Sequence, residues 1–448
     1  MEVVIASSPV DSGIGCWDLR SGAEQLRYRS CASSPHGLLS VARRFLASSQ
    51  VRDSPAAASA SAPIFFWSWD KPQVEVRSFP AEPIGPLVSN SEGTYIIGGG
   101  LSGTIYLWEM ASGKLLNKWR AHYRTVTCLT LSDDESLLIS GSEDGCVRVW
   151  SLLMMFDDMG KMSARNLYRY SFSEHALRVT DLVSGYGLCN SIVISSSEDH
   201  TCKVWSLSEG KLLRSITFPS IVDAIAMDQG EHAFYAGGRD GKIYIAALNA
   251  ESNPNSIYGM FIIGSLYDHS KAITCLALST DGTLVSGSED GKIRVWDTKS
   301  QHVTRILKHA KAPVNNVLII RQPLRGCPPA LANAQASLSR KRLNLSLPPP
   351  LSKYIDPTDG DIETKAVNLL LPPWQDPEER KYRSSNIIKK QIKELQQQRS
   401  SGAAEMELER LRLECKRSIQ MVHQWKKMYQ DLQNLCVNEL LNGVQLGD

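Results

Sequence analysis

Histidine, serine and aspartate recur together at three places in this sequence, and these are the residue types of a nucleophilic hydrolase. His122, His175 and His269 each precede an alternating run that leads to a serine-rich segment ending in aspartate. A Ser-His-Asp triad would activate one serine hydroxyl for attack on a carbonyl carbon. One reaction needs one such constellation, however, and the chain has no GxSxG elbow to expose the serine. Three copies therefore favour a structural role, and we expect no enzymatic activity.

A glycine-rich pattern raises the question of phosphate binding. Gly98, Gly100 and Gly103 satisfy the spacing GxGxxG, but that motif binds a dinucleotide only where it joins a strand to a helix. Here the segment that follows, GTIYLWE, alternates like a strand. The ten cysteines never reach a CxxC spacing, which argues against a zinc site. We expect neither a cofactor nor a metal.

The elements that carry these residues form a repeat. An aspartate lies six residues before a tryptophan in three segments, at Asp144 and Trp150, Asp199 and Trp205, and Asp290 and Trp296. Each aspartate ends a run of apolar and small residues, such as LLISGSED, and Gly145 and Gly291 supply the positive φ that a tight turn needs. One strand before and one strand after complete a unit of four strands, near the ~40 to 45 residue period of a propeller blade.

Seven such units follow one another from VVIASS to VWDT. The sixth has Ala246 in place of the tryptophan, and the second is marked only by Trp67 and Trp69. The chain begins at the second strand of a blade, so residues 314–320, VNNVLII, are expected to supply the missing inner strand and to close the ring. The sequence therefore predicts an all-β fold, a seven-bladed β-propeller over residues 1–320.

The remaining 128 of the 448 residues have a different composition. Residues 321–384 are rich in proline and are predicted to form an extended linker, in which Tyr354 and Trp374 suggest anchoring points. Residues 385–442 predict a helix with a coiled-coil seam, because apolar side chains recur there at heptad spacing. The seam residues expected to bind a partner are Leu408, Leu411, Cys415, Val422, Trp425, Tyr429, Leu432 and Cys436. Pairing with another chain is favoured, and homodimerisation and pairing with a different protein both stay open.

Two further observations concern partners and location. The insertion at residues 151–170 holds four methionines, an adaptable apolar set that suits either a partner or the blade itself. The start of the chain lacks the basic and apolar regions of a signal peptide, and no apolar run is long enough for a membrane helix. We therefore expect the cytosol or nucleus and no membrane contact.

The units resemble the repeats of the WD40 family, which run from Gly-His near the start to Trp-Asp near the end. In that family a histidine, a serine or threonine, an aspartate and a tryptophan form a hydrogen-bonded structural tetrad within a blade. The resemblance implies three tetrads here: His122, Ser140, Asp144 and Trp150; His175, Ser195, Asp199 and Trp205; and His269, Ser286, Asp290 and Trp296.

The layout of the whole chain is similar to that of the WD-repeat subunits of the nucleolar complex that matures the large ribosomal subunit, a family with plant members. The similarity rests on CWDLRSG in a degenerate first repeat, on GGGLSGTIYLWEMASGKLL, on the closing segment KHAKAPVNNVLI and on the C-terminal helix. It implies a non-enzymatic scaffold in the nucleolus and nucleoplasm that joins a large α-helical solenoid subunit and a smaller helical-repeat subunit. That assembly would sit on pre-60S particles, promote removal of the internal transcribed spacer and cooperate with the AAA+ ATPase midasin. In plants, the family is linked to developmental phenotypes.

Two alternative functions stay open. A WD40 substrate receptor of a ubiquitin ligase, or a chromatin-complex adaptor, would share the propeller, although we find no adaptor-binding motif in the sequence. A propeller that binds RNA directly would need a basic face, and the net negative charge of residues 1–320 speaks against it.

Overall fold

The computed structural model describes residues 2–51, 62–156, 168–186, 191–248, 261–309, 312–321 and 347–355. In these ranges the strands form seven sheets of four strands each, which confirms the predicted seven-bladed β-propeller. The predicted C-terminal helix at residues 385–442 and Trp374 lie outside the described residues. The division of the chain into propeller, linker and C-terminal helix therefore stays a prediction.

Each blade is an antiparallel meander. Blade 1 contains β1 Glu2–Ser7, β2 Ile14–Asp18 and β3 Glu24–Tyr28. Blade 2 contains β4 Ser33–Val41, β5 Phe45–Gln50, β6 Ile64–Ser68 and β7 Val76–Ser78, and blade 3 contains β8 Ile84–Ser89, β9 Tyr95–Gly100, β10 Thr104–Glu109 and β11 Leu115–Arg120. Blade 4 contains β12 Val126–Leu131, β13 Leu137–Ser142, β14 Val147–Ser151 and β15 Tyr168–Phe172.

The chain continues in the same way around the ring. Blade 5 contains β16 Val179–Ser184, β17 Ile192–Ser197, β18 Thr201–Ser206 and β19 Lys211–Thr217, and blade 6 contains β20 Val222–Met227, β21 Ala233–Gly238, β22 Lys242–Ala247 and β23 Ile262–Tyr267. Blade 7 contains β24 Ile273–Leu278, β25 Thr283–Ser288, β26 Lys292–Asp297 and β27 His302–Lys308. The last strand, β28 Asn316–Arg321, returns to blade 1 and pairs with β1.

The burial of the strands explains why their sequences look as they do. All six residues of β13 are buried, because each blade packs between two neighbours and its second strand has no solvent face. Such strands read as continuous runs of apolar and small residues. The outermost strand β19 instead mixes exposed and buried positions along its length, since one side of it faces water.

Two tight turns depend on glycine. Gly145 and Gly291, which follow the aspartates of blades 4 and 7, have φ angles of 76° and 75°. A Cβ atom on Gly145 would lie 2.7 Å from the carbonyl oxygen of His175 in the next blade. In blade 5 the same position is occupied by His200 at a φ of 65°, an uncommon conformation for a residue with a side chain.

The ring is closed by β28. Its register with β1 places Val4 opposite Ile319, and the innermost strands β28, β4, β8, β12, β16, β20 and β24 each contact the next in a circle. A buried polar cluster reinforces the junction of blades 1 and 2. The side-chain amide nitrogen of Asn316, which carries two N–H groups, lies within hydrogen-bond distance of Ser7 Oγ (3.2 Å), Ser33 Oγ (3.0 Å) and the carbonyl oxygen of Ser34 (2.8 Å). The side-chain amide nitrogen of Asn315 donates to the carbonyl of Ser33 (2.6 Å).

An ion pair spans the same closure at its outer end. Arg321 Nε donates to Glu2 (2.9 Å), and the carboxylate of Glu2 also accepts from the Ser279 hydroxyl of blade 7 (2.5 Å). A cavity of about 410 Å³ opens beside these residues and has Arg43 on its rim. The first residues of the propeller are thus held by both its last strand and its last blade.

The insertion after β14 begins with a short helix, α1 Leu152–Phe156. Leu152 and Met155 are buried against blades 3 and 4, whereas Leu153 and Met154 are 62% and 56% exposed. Part of the methionine-rich insertion therefore packs on its own blades, while residues 157–167 lie outside the description. Within the described ranges no helix has the length and apolar character needed to cross a membrane.

A segment beyond the last strand packs on blades 2 and 3. Within residues 347–355, which we call the strap, Leu351 is 4% exposed and belongs to a core cluster with Ile64 and Trp108. Tyr354, expected as an anchoring point, is 71% exposed, so that expectation was wrong. The anchor is the apolar Leu351, because a leucine fills the gap between the two blades without leaving a buried hydroxyl to satisfy.

Candidate functional site

The structure brings the four predicted residues of blade 4 into one hydrogen-bonded chain. His122 comes from the loop before β12, Ser140 from β13, and Asp144 from the turn before β14, which carries Trp150. The indole Nε1–H of Trp150 donates to Ser140 Oγ (2.9 Å), and that hydroxyl donates to His122 Nε2 (2.7 Å). His122 Nδ1–H then donates to Asp144 (3.3 Å). Only this direction works, because an indole can only donate and a carboxylate can only accept.

Blade 5 repeats the arrangement. Trp205 Nε1 and His175 Nε2 both lie 2.8 Å from Ser195 Oγ, and His175 Nδ1 lies 2.9 Å from Asp199. The hydroxyl of Thr201 donates to the same carboxylate at 2.6 Å. The four residues join the first loop, the second strand and the third strand of the blade.

The charges in these tetrads follow from burial. Burial lowers the pKa of His122 below its usual value, and the opposing hydrogen bond and charge of Asp144 do not restore it. Burial alone would raise the pKa of Asp144, but the hydrogen bond from His122 and the backbone amides of Tyr123 and Cys146 hold it well below its usual range. A neutral imidazole therefore faces a carboxylate, with the protons placed as the tetrad requires.

The tetrad of blade 7 includes a fifth residue, Arg294. Trp296 Nε1 and His269 Nε2 lie 2.8 and 2.7 Å from Ser286 Oγ, as in the other tetrads. Arg294 Nη1, however, lies 2.5 Å from His269 Nδ1 and 2.9 Å from Asp290, while Nδ1 is 3.5 Å from Asp290. Because a guanidinium can only donate, Nδ1 of His269 accepts here and its proton sits on Nε2. Arginine thus mediates between the histidine and the aspartate.

The tetrads cannot act as hydrolase triads. Ser140, Ser195 and Ser286 are each fully buried, and each hydroxyl is shared between an indole and an imidazole. A substrate carbonyl has no path to such an oxygen, and an oxygen that accepts an indole N–H is poorly placed for attack. Among the described residues no group of histidine, cysteine or carboxylate side chains could hold a metal ion.

Three of the other four blades lack the serine and use different bonds, whereas blade 2 has Ser48 there but its Trp67 Nε1 donates to the carbonyl of Arg29 (3.3 Å). The strand register places three residues where Ser140 lies in blade 4: Ala6 in blade 1, Gly98 in blade 3 and Ala236 in blade 6. In blade 6 the hydroxyl of Tyr244 donates to Asp240 (2.5 Å), and in blade 3 the hydroxyl of Tyr106 donates to Glu82 (2.9 Å). These substitutions are visible in the sequence once the register is known.

A contact across the central channel was not predicted from the sequence. The register between β4 and β5 shifts between Ser33 and Leu38, so residues 34–37 bulge from the inner strand of blade 2. His36, at a φ of 54°, donates from Nε2 to the carbonyl of Thr180 (3.2 Å), and its Nδ1 lies 3.6 Å from Asp181. Blade 5 carries Thr180 and Asp181, so the histidine spans the channel. Proline and glycine beside His36 inside a strand were the available signal.

Asp181 connects this contact to a third blade. Its carboxylate accepts from the backbone amide of Ile225 in blade 6 (2.8 Å) and from that of Leu182 (2.7 Å). Burial raises the pKa of Asp181, and the nearby His36 and the two amides only partly counteract it. One side chain thus links blades 2, 5 and 6 at the centre of the ring.

One face of the propeller carries exposed apolar side chains. Phe79, Leu101, Tyr123 and Leu177 are 48%, 47%, 76% and 53% exposed. All four lie in loops at the end of the blades where the tetrad histidines enter, which we call the upper face. The hydroxyl of Thr125, in the loop entering blade 4, donates to the carbonyl of Leu101 (3.2 Å), so the loops of blades 3 and 4 adjoin. These side chains offer contact area to a partner.

The predicted partner-binding residues of the C-terminal helix, from Leu408 to Cys436, lie outside the described residues. Their role stays a prediction.

Comparisons with known proteins add to this geometry. The family described as WD domain, G-beta repeat matches residues 113–151, 167–206 and 261–297, the segments that contain the three tetrads. Protein ROOT INITIATION DEFECTIVE 3 of Arabidopsis thaliana is 52% identical over 447 residues, which cover 98% of each chain. WD repeat-containing protein 18 of Homo sapiens is 33% identical over 72% of this chain and 74% of its own.

A fungal relative and a solved structure complete the comparison. Pre-rRNA-processing protein IPI3 of Yarrowia lipolytica is 33% identical over 57% of this chain and 61% of its own. The crystal structure of the computationally designed Ika8 protein superimposes with a TM-score of 0.50 at 25% identity, covering 69% of this chain and 85% of that one.

Proposed function

The chain belongs to the WD-repeat family that includes Protein ROOT INITIATION DEFECTIVE 3 and WD repeat-containing protein 18, and we propose that it acts in ribosome biogenesis, as a non-enzymatic scaffold in pre-rRNA processing. The observation that carries the proposal is the similarity to a relative named as a pre-rRNA-processing protein, IPI3 of Yarrowia lipolytica. The work of this chain is then to hold other subunits together in the nucleolus and nucleoplasm.

Three structural features support a scaffold. The serines of the tetrads are buried and engaged in hydrogen bonds, so their hydroxyls stabilise the blades. The polar closure cluster and the contact between His36 and Asp181 tie distant blades together, which favours a rigid platform. The exposed apolar residues of the upper face give a partner several side chains on one face to cover.

The partners we propose are those that the sequence resemblance implies. They are a large α-helical solenoid subunit, a smaller helical-repeat subunit, pre-60S particles and the AAA+ ATPase midasin. In this proposal the seam of residues 385–442 pairs with a second copy of the chain or docks on the solenoid subunit. Its heptad positions support this role because a soluble helix exposing such a seam gains by covering it.

The test is affinity purification of the full-length protein from cells, with the co-purified proteins and precursor rRNA identified. A seam variant, Leu411→Asp with Leu432→Asp, is compared with a matched control, Gln420→Asp with Asn434→Asp, which places the same charges off the seam. We expect the wild type and the control to recover precursors of the large-subunit rRNA and the solenoid subunit. The seam variant should lose its helical partner while its propeller stays folded.

Two results would contradict the proposal. Recovery of a cullin adaptor or of chromatin subunits in place of precursor rRNA would reject the role in rRNA processing. Equal recovery of all partners by the seam variant would reject the helix as the coupling element.

Full-length protein carrying Tyr123→Asp and Leu177→Asp tests the upper face in the same assay, and loss of a different subset of partners is expected.

A further inference from the structure

The indole of Trp108 in blade 3 has a different partner from those of the tetrad tryptophans. Trp108 occupies the position of Trp150, but the residue at the position of Ser140 is Gly98, which offers no hydroxyl. Its Nε1–H donates instead to the carbonyl oxygen of Ser352 in the strap (2.9 Å). Because an unpaired buried donor is costly, the strap satisfies a bond that the blade itself cannot make.

The strap is recognised through its backbone. The amide of Leu351 donates to Ser78 Oγ of blade 2 (3.0 Å), and the amide of Ser352 donates to the carbonyl of Gly113 of blade 3 (2.7 Å). Gly113 has a φ of 70°, and a Cβ atom there would lie 2.7 Å from the carbonyl oxygen of Pro350. The groove between the two blades therefore fits an extended main chain passing close to a glycine.

Leu351 is the main apolar anchor of the strap. Leu351 is 4% exposed and packs in the cluster that contains Ile84, Tyr106, Trp108 and Met110, with Leu347 partly buried beside it. Pro348 is buried as well, whereas Pro349, Pro350 and residues 353–355 are exposed. A proline run preceding a buried leucine enters such a groove with little loss of conformational entropy, because proline already fixes the backbone. Backbone bonds for affinity and one pocket for specificity are the pattern of linear-motif recognition.

We propose that the groove between blades 2 and 3 is a recognition site for a linear motif of the form P-P-P-L-S, and that the strap is its resident ligand. The strap binds as a separable segment and is not an integral part of either blade. By binding there, the strap fixes the main chain of residues 347–355 at the edge of blade 3. This inference does not depend on the proposed role in rRNA processing.

The tether decides how the site behaves. Residues 322–346, a stretch of 25, link the last strand to the strap. Because the strap is covalently linked to the propeller, it competes for the groove as an intramolecular ligand, at an effective concentration on the order of 1 mM. A free peptide therefore competes poorly with the strap of the wild type but binds freely once the strap is displaced.

The experiment uses the full-length protein and a fluorescein-labelled peptide of residues 345–355. Leu351→Asp in the chain displaces the strap, and Leu351→Ser displaces it without adding charge; near-ultraviolet circular dichroism checks that the propeller is intact. By fluorescence anisotropy we expect the peptide to bind both variants at least tenfold more tightly than the wild type. The peptide carrying the same Leu351→Asp change should bind neither. Adding Ser78→Ala to the Leu351→Asp chain should weaken binding by about two- to tenfold, the effect of one lost hydrogen bond.

Amide hydrogen exchange distinguishes the alternative. If the peptide binds neither variant while the amides of Leu351 and Ser352 are protected in the wild type, the strap is an integral part of the blade and the proposal fails. Equal binding of the peptide to the wild type and the variants would show that it binds elsewhere, and would also overturn the proposal.

Discussion

Arg294 Nη1 lies 2.5 Å from His269 Nδ1, so a guanidinium takes the place that the aspartate carboxylate holds in the tetrads of blades 4 and 5. Arg148 occupies the corresponding position of blade 4, but its guanidinium lies over the rings of Tyr123 and Tyr168. One repeated residue thus supports the interior of one blade and the surface of another. The last strand, β28, packs against blade 7 when it closes the ring. Blade 7 is also the blade in which Arg294 adds its hydrogen bonds to the tetrad.

The first prediction concerns the tetrad of blade 4. Ser140→Ala leaves the indole of Trp150 without its acceptor and removes the hydroxyl that donates to His122. We expect the free energy of unfolding to fall by about 2 to 4 kcal/mol, because buried polar groups lose their partners. Chemical denaturation measures it, and Ser173→Ala at an exposed position serves as the control. A loss below about 0.5 kcal/mol would mean that the tetrad does not stabilise the blade.

The second prediction is that serine cannot be restored in blade 3. A Cβ atom on Gly98 would lie 2.7 Å from Ile84 Cγ2 and 3.1 Å from Trp108 Cζ3. Gly98→Ser should therefore destabilise the protein by about 1 to 3 kcal/mol through overpacking, although it copies the tetrad of other blades. Gly264→Ser is the matched control, since nothing lies within 4 Å of its Cβ position. Thermal unfolding compares the two, and a stabilised Gly98→Ser protein would contradict the prediction.

The third prediction concerns pH. Burial, together with the charge of Arg294, lowers the pKa of His269 to about 4, although Asp290 and Asp268 oppose the shift. Since the unfolded chain binds this proton near pH 6.5, the unfolded state holds more protons below that pH. Stability is therefore complete above about pH 6.5 and is lost as the pH falls toward 4, by up to about 3 kcal/mol from this residue.

His269→Gln removes that titration, so the decline of unfolding free energy between pH 6.5 and 4 should become shallower. It should not vanish, because burial and Arg27 lower the pKa of His309 to about 4 as well. Urea titrations across this range, with parallel curves above pH 7 as the internal reference, make the measurement. Identical slopes in variant and wild type would disprove the assignment.

The fourth prediction compares two contacts at the ring closure. Asn316→Ala removes the two N–H groups that lie among the carbonyl of Ser34 and the buried hydroxyls of Ser7 and Ser33, so we expect the free energy of unfolding to fall by about 2 to 4 kcal/mol. Glu2→Gln weakens an ion pair with the half-exposed Arg321 and should cost less than about 1 kcal/mol. Differential scanning calorimetry of both variants compares the two losses of stability. A larger loss for Glu2→Gln would mean that the ion pair stabilises the ring closure more than the buried amide does.

The sequence predicted the repeated blades, but it did not predict the contacts in which one blade differs from the others. The recurring strand pairs predicted the number of blades, and the aspartates and tryptophans identified the three tetrads, because those residues need the same partners in each of these blades. The bond from Trp108 to the strap was not predicted, since it depends on Gly98 lacking a side chain, which only the register of two strands reveals. Arg294 could not be told from Arg148 by spacing alone. The seam of the C-terminal helix stays a prediction.

Because β28 completes blade 1, it must pair with β1. β1 is the first strand of the propeller to be synthesised and β28 is the last. At a translation rate of 5 to 20 residues per second, β1 waits roughly a quarter of a minute to a minute for its neighbour. Throughout that interval the edge of β1, with its unpaired amides and carbonyls and an apolar sequence, is open to wrong pairing. We therefore expect the nascent chain to remain exposed to edge-to-edge aggregation until residue 321 has left the ribosome.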